Sequence, residues 1–348
     1  MLDVCLLGTG GMMPLPGRWL TSLLLRYNGK MLMVDCGEGT QIPLKLAGWG
    51  FKPIDAIFFT HYHADHIAGL PGLLLTIGNS GKDTPLDLIG PPGLTRVVQS
   101  LLVICPALPF DIRATELPLP RGAPSLRGAS GGAAGTGANV DGEAEADGER
   151  DGGLAPLRDV ALFDSMSFQY APADHNIPCL AYSFHIRRQG AFYPARAKEL
   201  NIPLKSWSLL QAGKTVELDD GRSVTPDMVL GPERRGIKLS YCTDSRPAPA
   251  LRRLFKDSAL LICEGMYGDD GERENAIGKK HMIFSEAAGL ARDAGVGELW
   301  LTHYSPALQN PGEHIGAARR VFPNTRAGSD LLTTKLIFPE GEGADTAR

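Results

Sequence analysis

Five short apolar runs in this chain each end in a residue able to bind a metal ion, and that recurrence limits the folds open to it. The run 30–34 leads to Asp35, 54–60 to His61, 236–243 to Asp244, 259–263 to Glu264, and 298–302 to His303. Apolar runs of this length bounded by Gly and Pro are strands buried on both faces. Met1-Leu2-Asp3-Val4-Cys5-Leu6-Leu7 reads as a further buried strand at the start. Helices are legible between them. Ser285 is the expected N-cap of a helix over 286–294 with Gly295 at C′, and Pro311 opens a helix to about Val321. The fold class is α/β, with two sheets faced by helices. Strand ends in such a layered protein form one rim, where side chains from distant parts of the chain converge.

The densest signal on that rim is Thr60-His61-Tyr62-His63-Ala64-Asp65-His66. Three of the eight histidines fall within six residues beside a carboxylate. Neutral imidazole and carboxylate are the ligands of a zinc site. His61 and His63, on a turn leaving a strand, can face one ion; Asp65 and His66, opening the next helix, can face a second. Asp244 is the natural carboxylate to bridge the two, and His175 and His303 can complete the shells. His281 precedes a helix and follows a stretch, 268–278, expected to be mobile. It can reach a bound substrate as proton donor with Glu264 orienting it, the alternative being a solvated loop histidine. His185 and His314 have no converging partner and read as structural.

Charge is distributed unevenly. The chain carries −4 overall, but residues 121–153 hold three Arg against six acids, so the remainder is only −1. That segment has ten Gly and seven Ala and no aromatic residue, too little apolar surface to offset the entropy of ordering it. It reads as a disordered surface insertion. Residues 186–238 are the opposite, with ten basic residues against six acids. A helix opening at Pro194 and a hairpin turn at Asp220-Gly221 give this stretch local structure, but it has few apolar residues. It reads as a projecting basic arm suited to a phosphate backbone, or else as an ordinary solvated excursion. The six scattered cysteines form no C-x-x-C pair, no apolar run approaches membrane-spanning length, and the N-terminus has no basic head and apolar signal core. A cytoplasmic protein with reduced thiols and no membrane contact is expected.

These residues together resemble the metallo-β-lactamase superfamily and, within it, the ribonuclease Z family. The first likeness rests on His61-Tyr62-His63-Ala64-Asp65-His66. The second adds Leu7-Gly8-Thr9-Gly10-Gly11, Asp35-Cys36-Gly37-Glu38-Gly39-Thr40-Gln41, Ile67-Ala68-Gly69-Leu70-Pro71-Gly72, Gly90-Pro91-Pro92-Gly93, Thr243-Asp244-Ser245-Arg246-Pro247 and Thr302-His303-Tyr304-Ser305. The resemblance implies a single αββα sandwich domain over 1–348 with the basic arm as a tRNA-binding exosite. It implies two Zn²⁺ per subunit, with His61, His63 and His175 on one, Asp65, His66 and His303 on the other, and Asp244 bridging. Asp65 would be the proton acceptor and Glu264 with His281 the pair that protonates the leaving group. Asp35 would orient a ligand histidine from behind. Arg234 and Arg235 are expected to bind substrate, as is Arg246, whose alternative is a salt bridge within the rim. The implied activity is an endonuclease cutting precursor tRNA at the 3′ side, the alternative being a hydrolase of small phosphodiesters, and a homodimer is expected. The chain departs from the family at Cys263 and Gly265-Met266, which flank Glu264, at residues 202–211 of the arm, and in the 121–153 insertion.

Overall fold

The computed structural model describes residues 1–120, 157–163 and 165–339, so the 121–153 insertion lies outside the described residues. The N-terminal half contributes β1 (Leu2–Gly8), β2 (Ser22–Tyr27), β3 (Lys30–Val34), β4 (Ile54–Phe58), β5 (Leu86–Gly90) and β6 (Ile112–Glu116). Among them lie α1 (Gln41–Ala47), α2 (Ala64–Ile67), α3 (Leu70–Asn79) and α4 (Leu94–Leu102). The C-terminal half begins with β7 (Val160–Phe163), β8 (Met166–Pro172) and β9 (Leu180–Arg188). Then come α5 (Pro194–Glu199), α6 (Leu204–Gln211), β10 (Val216–Glu217), β11 (Ser223–Val224) and β12 (Arg234–Cys242). It closes with α7 (Pro249–Phe255), β13 (Leu260–Glu264), α8 (Arg273–Lys279), α9 (Phe284–Asp293), β14 (Glu298–Thr302), α10 (Pro311–Val321), β15 (Thr325–Ala327) and β16 (Leu332–Leu336).

Two seven-stranded sheets result, ordered β16-β1-β2-β3-β4-β5-β6 and β15-β14-β13-β12-β9-β8-β7. The period of two along each strand builds the layers. In β1, Leu2, Val4 and Leu6 point into the core between the sheets, while Cys5 and Leu7 join the layer that also holds residues of α1, α3 and α4. The outer face of the second sheet packs against α7, α9 and α10 in the same way. Phe58 sits at the centre of the inter-sheet core, edge-on to Phe168 at 5.0 Å and to Phe184 at 5.1 Å. The expected helix–sheet–sheet–helix sandwich is thus what the alternation of apolar residues builds.

Strands β3 to β6 run parallel, as do β12 to β15, so their C-terminal ends share one rim of the sandwich. Between β9 and β12 the chain leaves the body. The β10–β11 hairpin, with Gly221 at φ +82°, and helices α5 and α6 surround a small core of their own, including Ala197, Ile202, Leu210, Val224 and Val229. The sequence reading counted few apolar residues in this arm; those present are gathered into one cluster.

Two local expectations are corrected. Helix α9 starts at Phe284 rather than 286, because Phe284 is buried and Glu286 caps the helix by accepting the Ile283 N–H at 3.2 Å. The Ser285 hydroxyl instead donates to Asp270 at 2.5 Å. The stretch 268–278 is not a mobile loop: a 3-10 turn over Asp270–Glu272, capped by the Asp269 carboxylate, leads directly into α8.

Candidate metal centre

The rim gathers its side chains through strained turns. Asp35, Asp244 and His303 each follow a strand end directly or within two residues and adopt left-handed φ angles of 61°, 37° and 58°. Non-glycine residues in that region store backbone strain, and strain of this kind clusters at functional sites. One glycine pair is required outright. A Cβ on Gly37 would lie 2.0 Å from the Asp65 carbonyl oxygen, and one on Gly69 would lie 2.0 Å from that of Gly37. The loop after β3 and the ends of α2 touch backbone to backbone there, which seats Asp65 and His66 against the sheet.

Two donor sets result. In the first, His61 Nε2 lies 3.0 Å from His63 Nδ1, and His175 Nε2 lies 3.3 Å from the same atom. In the second, His66 Nε2 and His303 Nε2 are 3.1 Å apart, each 3.6 Å from Asp65 Oδ2. Asp244 stands between them. Its Oδ2 is 3.5 Å from His61 Nε2 and 3.8 Å from His175 Nε2, while its Oδ1 is 3.3 Å from His66 Nε2 and 3.1 Å from His303 Nε2. Within each set the donor atoms lie within 4.8 Å of one another. Imidazole nitrogens facing each other so closely, buried except at His63, with carboxylate oxygens among them and few donor hydrogens to share, have the chemistry of a ligand shell, so these residues fit metal ions.

The electrostatics divide along the same line. Burial first, then the neighbouring histidines, holds the His61 imidazole well below its ordinary value; burial also lowers His63 and His175. These three rings are neutral and offer lone pairs. At His66 burial acts downward but Asp244, Asp35 and Asp65 outweigh it, and the net shift is well upward. Asp65 and Asp244 stay far below the usual carboxylate range although burial opposes this, because His66 and His303 face them both. A cluster of imidazoles and carboxylates that holds this much opposed charge in a dry site is poised for a cation.

Asp35 sits behind the second set. Its Oδ2 is 2.9 Å from His66 Nδ1, and its Oδ1 accepts the Thr60 amide at 2.8 Å, so one fully buried carboxylate fixes both the His66 ring and the turn that carries His61. Glu264 is also fully buried. It accepts the Ser245 N–H and, at 3.0 Å, the Met282 N–H, and lies 3.1 Å from His281 Nδ1. Burial acts to lower His281, but the charge and hydrogen bond of Glu264 carry it up to about 9. His281 Nε2 points towards Asp244, 4.0 Å from Oδ2.

A cavity of about 480 Å³ opens over this centre, lined by His63, Asp65, His175, Asp244, His281 and His303 together with Met12, Asn176, Gly278 and Lys279. The last four were not picked out from sequence. The Met12 amide, at φ +67°, donates to Asp65 Oδ2 at 2.7 Å. A Cβ on Gly11 would fall 2.7 Å from the His303 ring. The Gly10-Gly11 doublet was the available signal for a backbone passing this close.

Of the three arginines expected on substrate, Arg246 is already engaged within the rim, and Arg234 and Arg235 lie in the arm. Arg246 is held by Glu286, at 2.5 and 2.7 Å, and by the His281 carbonyl, with only 15% of its side chain exposed; it forms the salt bridge within the rim. Arg234 and Arg235 open β12, the strand whose other end leads to Asp244, so at about 3.3 Å per residue they stand roughly 30 Å from the centre of their own chain. They belong to the root of the arm. His185 and His314 take no part in the centre.

Comparison with known proteins agrees with this geometry. The family model described as anti-Pycsar protein Apyc1 matches residues 2–101. Among solved structures, human tRNase Z, short form, superposes with a TM-score of 0.62 at 22% identity, covering 97% of this chain and 100% of that one. The metallo-β-lactamase fold protein YhfI from Bacillus subtilis does so with a TM-score of 0.61 at 17% identity, over 96% and 98%. The fold is that of the metallo-β-lactamases. Ribonuclease Z of Lachnospira eligens is 50% identical over 340 residues, 98% of this chain and 99% of the relative. That of Clostridium acetobutylicum is 46% identical over 338 residues, 97% and 99%. With relatives this similar along nearly their whole length, the chain belongs to the ribonuclease Z family.

Proposed function

We propose that this protein is a zinc-dependent endoribonuclease that cuts precursor tRNA on its 3′ side, leaving a tRNA with a 3′-OH and a trailer with a 5′ phosphate. The observation that carries the reading is Asp244, which turns one carboxylate oxygen to each of two donor sets. In this reading His61, His63 and His175 would hold one zinc ion, Asp65, His66 and His303 a second, and Asp244 would serve both. Metal bound there would supply an activated water for in-line attack and positive charge for the phosphoryl oxygens.

The chain's own groups do the rest. Asp65 accepts the proton released by the attacking water, and the Met12 amide holds its Oδ2 in place. His281 gives a proton to the departing ribose oxygen from Nε2, while Glu264 on Nδ1 keeps the ring protonated and oriented. Asp35 keeps His66 in one tautomer and orientation. Lys279, exposed at the cavity mouth, brings positive charge to the incoming phosphodiester.

The basic arm binds tRNA electrostatically. Its root, at the start of β12, is the far end of that strand from the rim. This supports a homodimer in which one subunit's arm grips the tRNA that its partner cuts. The six cysteines are free and buried, in keeping with a reducing cytoplasm, and no helix among the described residues is long and apolar enough to cross a membrane.

The test is direct. Zinc-loaded protein is incubated with precursor tRNA and the new ends are mapped. Cleavage at the 3′ side of the mature tRNA with 3′-OH and 5′-phosphate ends is expected. Turnover of bis(p-nitrophenyl) phosphate with precursor tRNA left intact would make the protein a small-substrate hydrolase instead.

A further inference from the structure

His281 occupies a short link between two helices. Lys280 before it closes α8 in a left-handed conformation, φ +63°, and Ile283 after it is the N-cap of α9. Helix α8 holds only the His281 amide, which donates to the Ala276 carbonyl at 2.8 Å, and that bond leaves the ring free to turn; a proton donor works only if its nitrogen is held within a fraction of an ångström of the leaving oxygen.

A closed circuit of hydrogen bonds does the holding. The His281 ring meets Glu264, Glu264 takes the Ser245 amide, and the next residue, Arg246, returns a guanidinium bond to the His281 carbonyl oxygen. The ring and the main chain of His281 are therefore pinned from opposite sides. The Arg246 fork is in turn aimed by Glu286, with bonds of 2.7 Å from Nη1 and 2.5 Å from Nη2. Glu286 is only 12% exposed, and its Oε2 also accepts the N–H of Ile283, two residues after His281. One carboxylate thus fixes both the arginine that holds His281 and the helix start that ends its link. A planar guanidinium gripped at two nitrogens has one orientation, which an ammonium at the same place would lack.

We infer that Glu286, acting through Arg246, is a positioning residue for the proton-donating His281, and that its contribution falls on departure of the leaving group. The inference rests on the reading of His281 given above. Its signature is chemical. The ribose 3′ oxygen leaves poorly without a proton, whereas p-nitrophenolate leaves without one, so loss of positioning slows RNA cleavage more than aryl-ester cleavage.

The experiment measures turnover of precursor tRNA and of bis(p-nitrophenyl) phosphate by the zinc-loaded full-length protein and its Glu286→Gln, Arg246→Lys and His281→Ala variants. Zinc content and thermal midpoint are recorded for each. Glutamine still accepts the Ile283 N–H, so Glu286→Gln keeps the helix cap, and Arg246→Lys keeps the charge without the fork. Both are expected to raise the ratio of aryl-ester to tRNA turnover about ten-fold, through kcat for tRNA, with KM and zinc content within two-fold of wild type. His281→Ala is expected to raise the ratio further. If it does so while Glu286→Gln and Arg246→Lys leave the ratio unchanged, the pair is structural only and the inference is overturned. If His281→Ala itself leaves the ratio unchanged, the proton-donor reading is what fails.

Discussion

Ionic contacts at the rim and in the arm differ in one physical respect, their access to water. At the rim His61, His66, Asp35 and Glu264 are fully buried, and each carboxylate is matched by imidazole or amide donors. In the arm the pairs Lys205–Asp219 and Arg222–Asp220 join side chains that are about half or more exposed. Desolvating the rim charges costs several kcal/mol apiece before any attraction is counted, so fold stability does not call for them there. Water screens the arm charges, so they add little to stability but remain free to attract a distant polyanion. The rim has the physics of chemistry and the arm that of recognition.

Breaking the rim has the largest expected effect. Asp244→Ala removes the one carboxylate shared by both donor sets and leaves five imidazoles, four of them buried, with less opposing charge. It is expected to abolish metal loading at both positions and to lower tRNA cleavage on the order of 10⁴-fold or more, read by elemental analysis and single-turnover cleavage. Retention of two zinc ions would show that the sets are independent. Asp35→Asn is milder, since the amide still accepts from Thr60 but no longer balances charge at His66. Zinc affinity is expected to fall about 10- to 100-fold, measured by competition with a chromogenic chelator. A variant that binds zinc as wild type does would reduce Asp35 to a structural anchor.

The same contrast governs how much the sequence reveals. His61, His63, Asp65 and His66 were legible because spacing along one turn is spacing in space. Asp244 and His303 were legible because a residue following an apolar run lies at a strand end, and parallel strands bring such ends to one edge. The contribution of Met12 was not legible: it acts through a backbone N–H, which every residue but proline possesses. Arg246 was read as facing either a phosphate or a salt bridge, because nothing local shows that Glu286, forty residues on, reaches it. The arm was read by its charge and not by its packing, since a small core assembled from Ala197, Leu210 and Val229 has no periodicity to detect.

In the arm the expected effects are smaller. Lys198 and Lys214 are exposed. Changing both to Gln is expected to raise KM for precursor tRNA about ten-fold and to make the dependence of log KM on log salt shallower by about two. Unaltered salt dependence would mean that these charges serve solubility and not the substrate.

The smallest expected effect lies where arm and body meet, at His185 on β9, a histidine without the carboxylates that surround His66. Burial first, then Lys238, pushes His185 down from 6.5 to about 4, so the folded chain keeps this ring neutral. A depressed folded value means that its contribution to stability is whole above 6.5 and is lost as pH falls from there through about 4. At pH 5.5 the loss is about 1 kcal/mol, from roughly 1.4 kcal/mol per pH unit. Urea midpoints at pH 7.5 and 5.5 are therefore expected to separate more in the wild type than in His185→Gln, whose side chain does not titrate. Equal separations would mean that His185 takes up its proton without opposition, and that a half-buried histidine at the arm root differs from one at the rim in neighbours but not in charge.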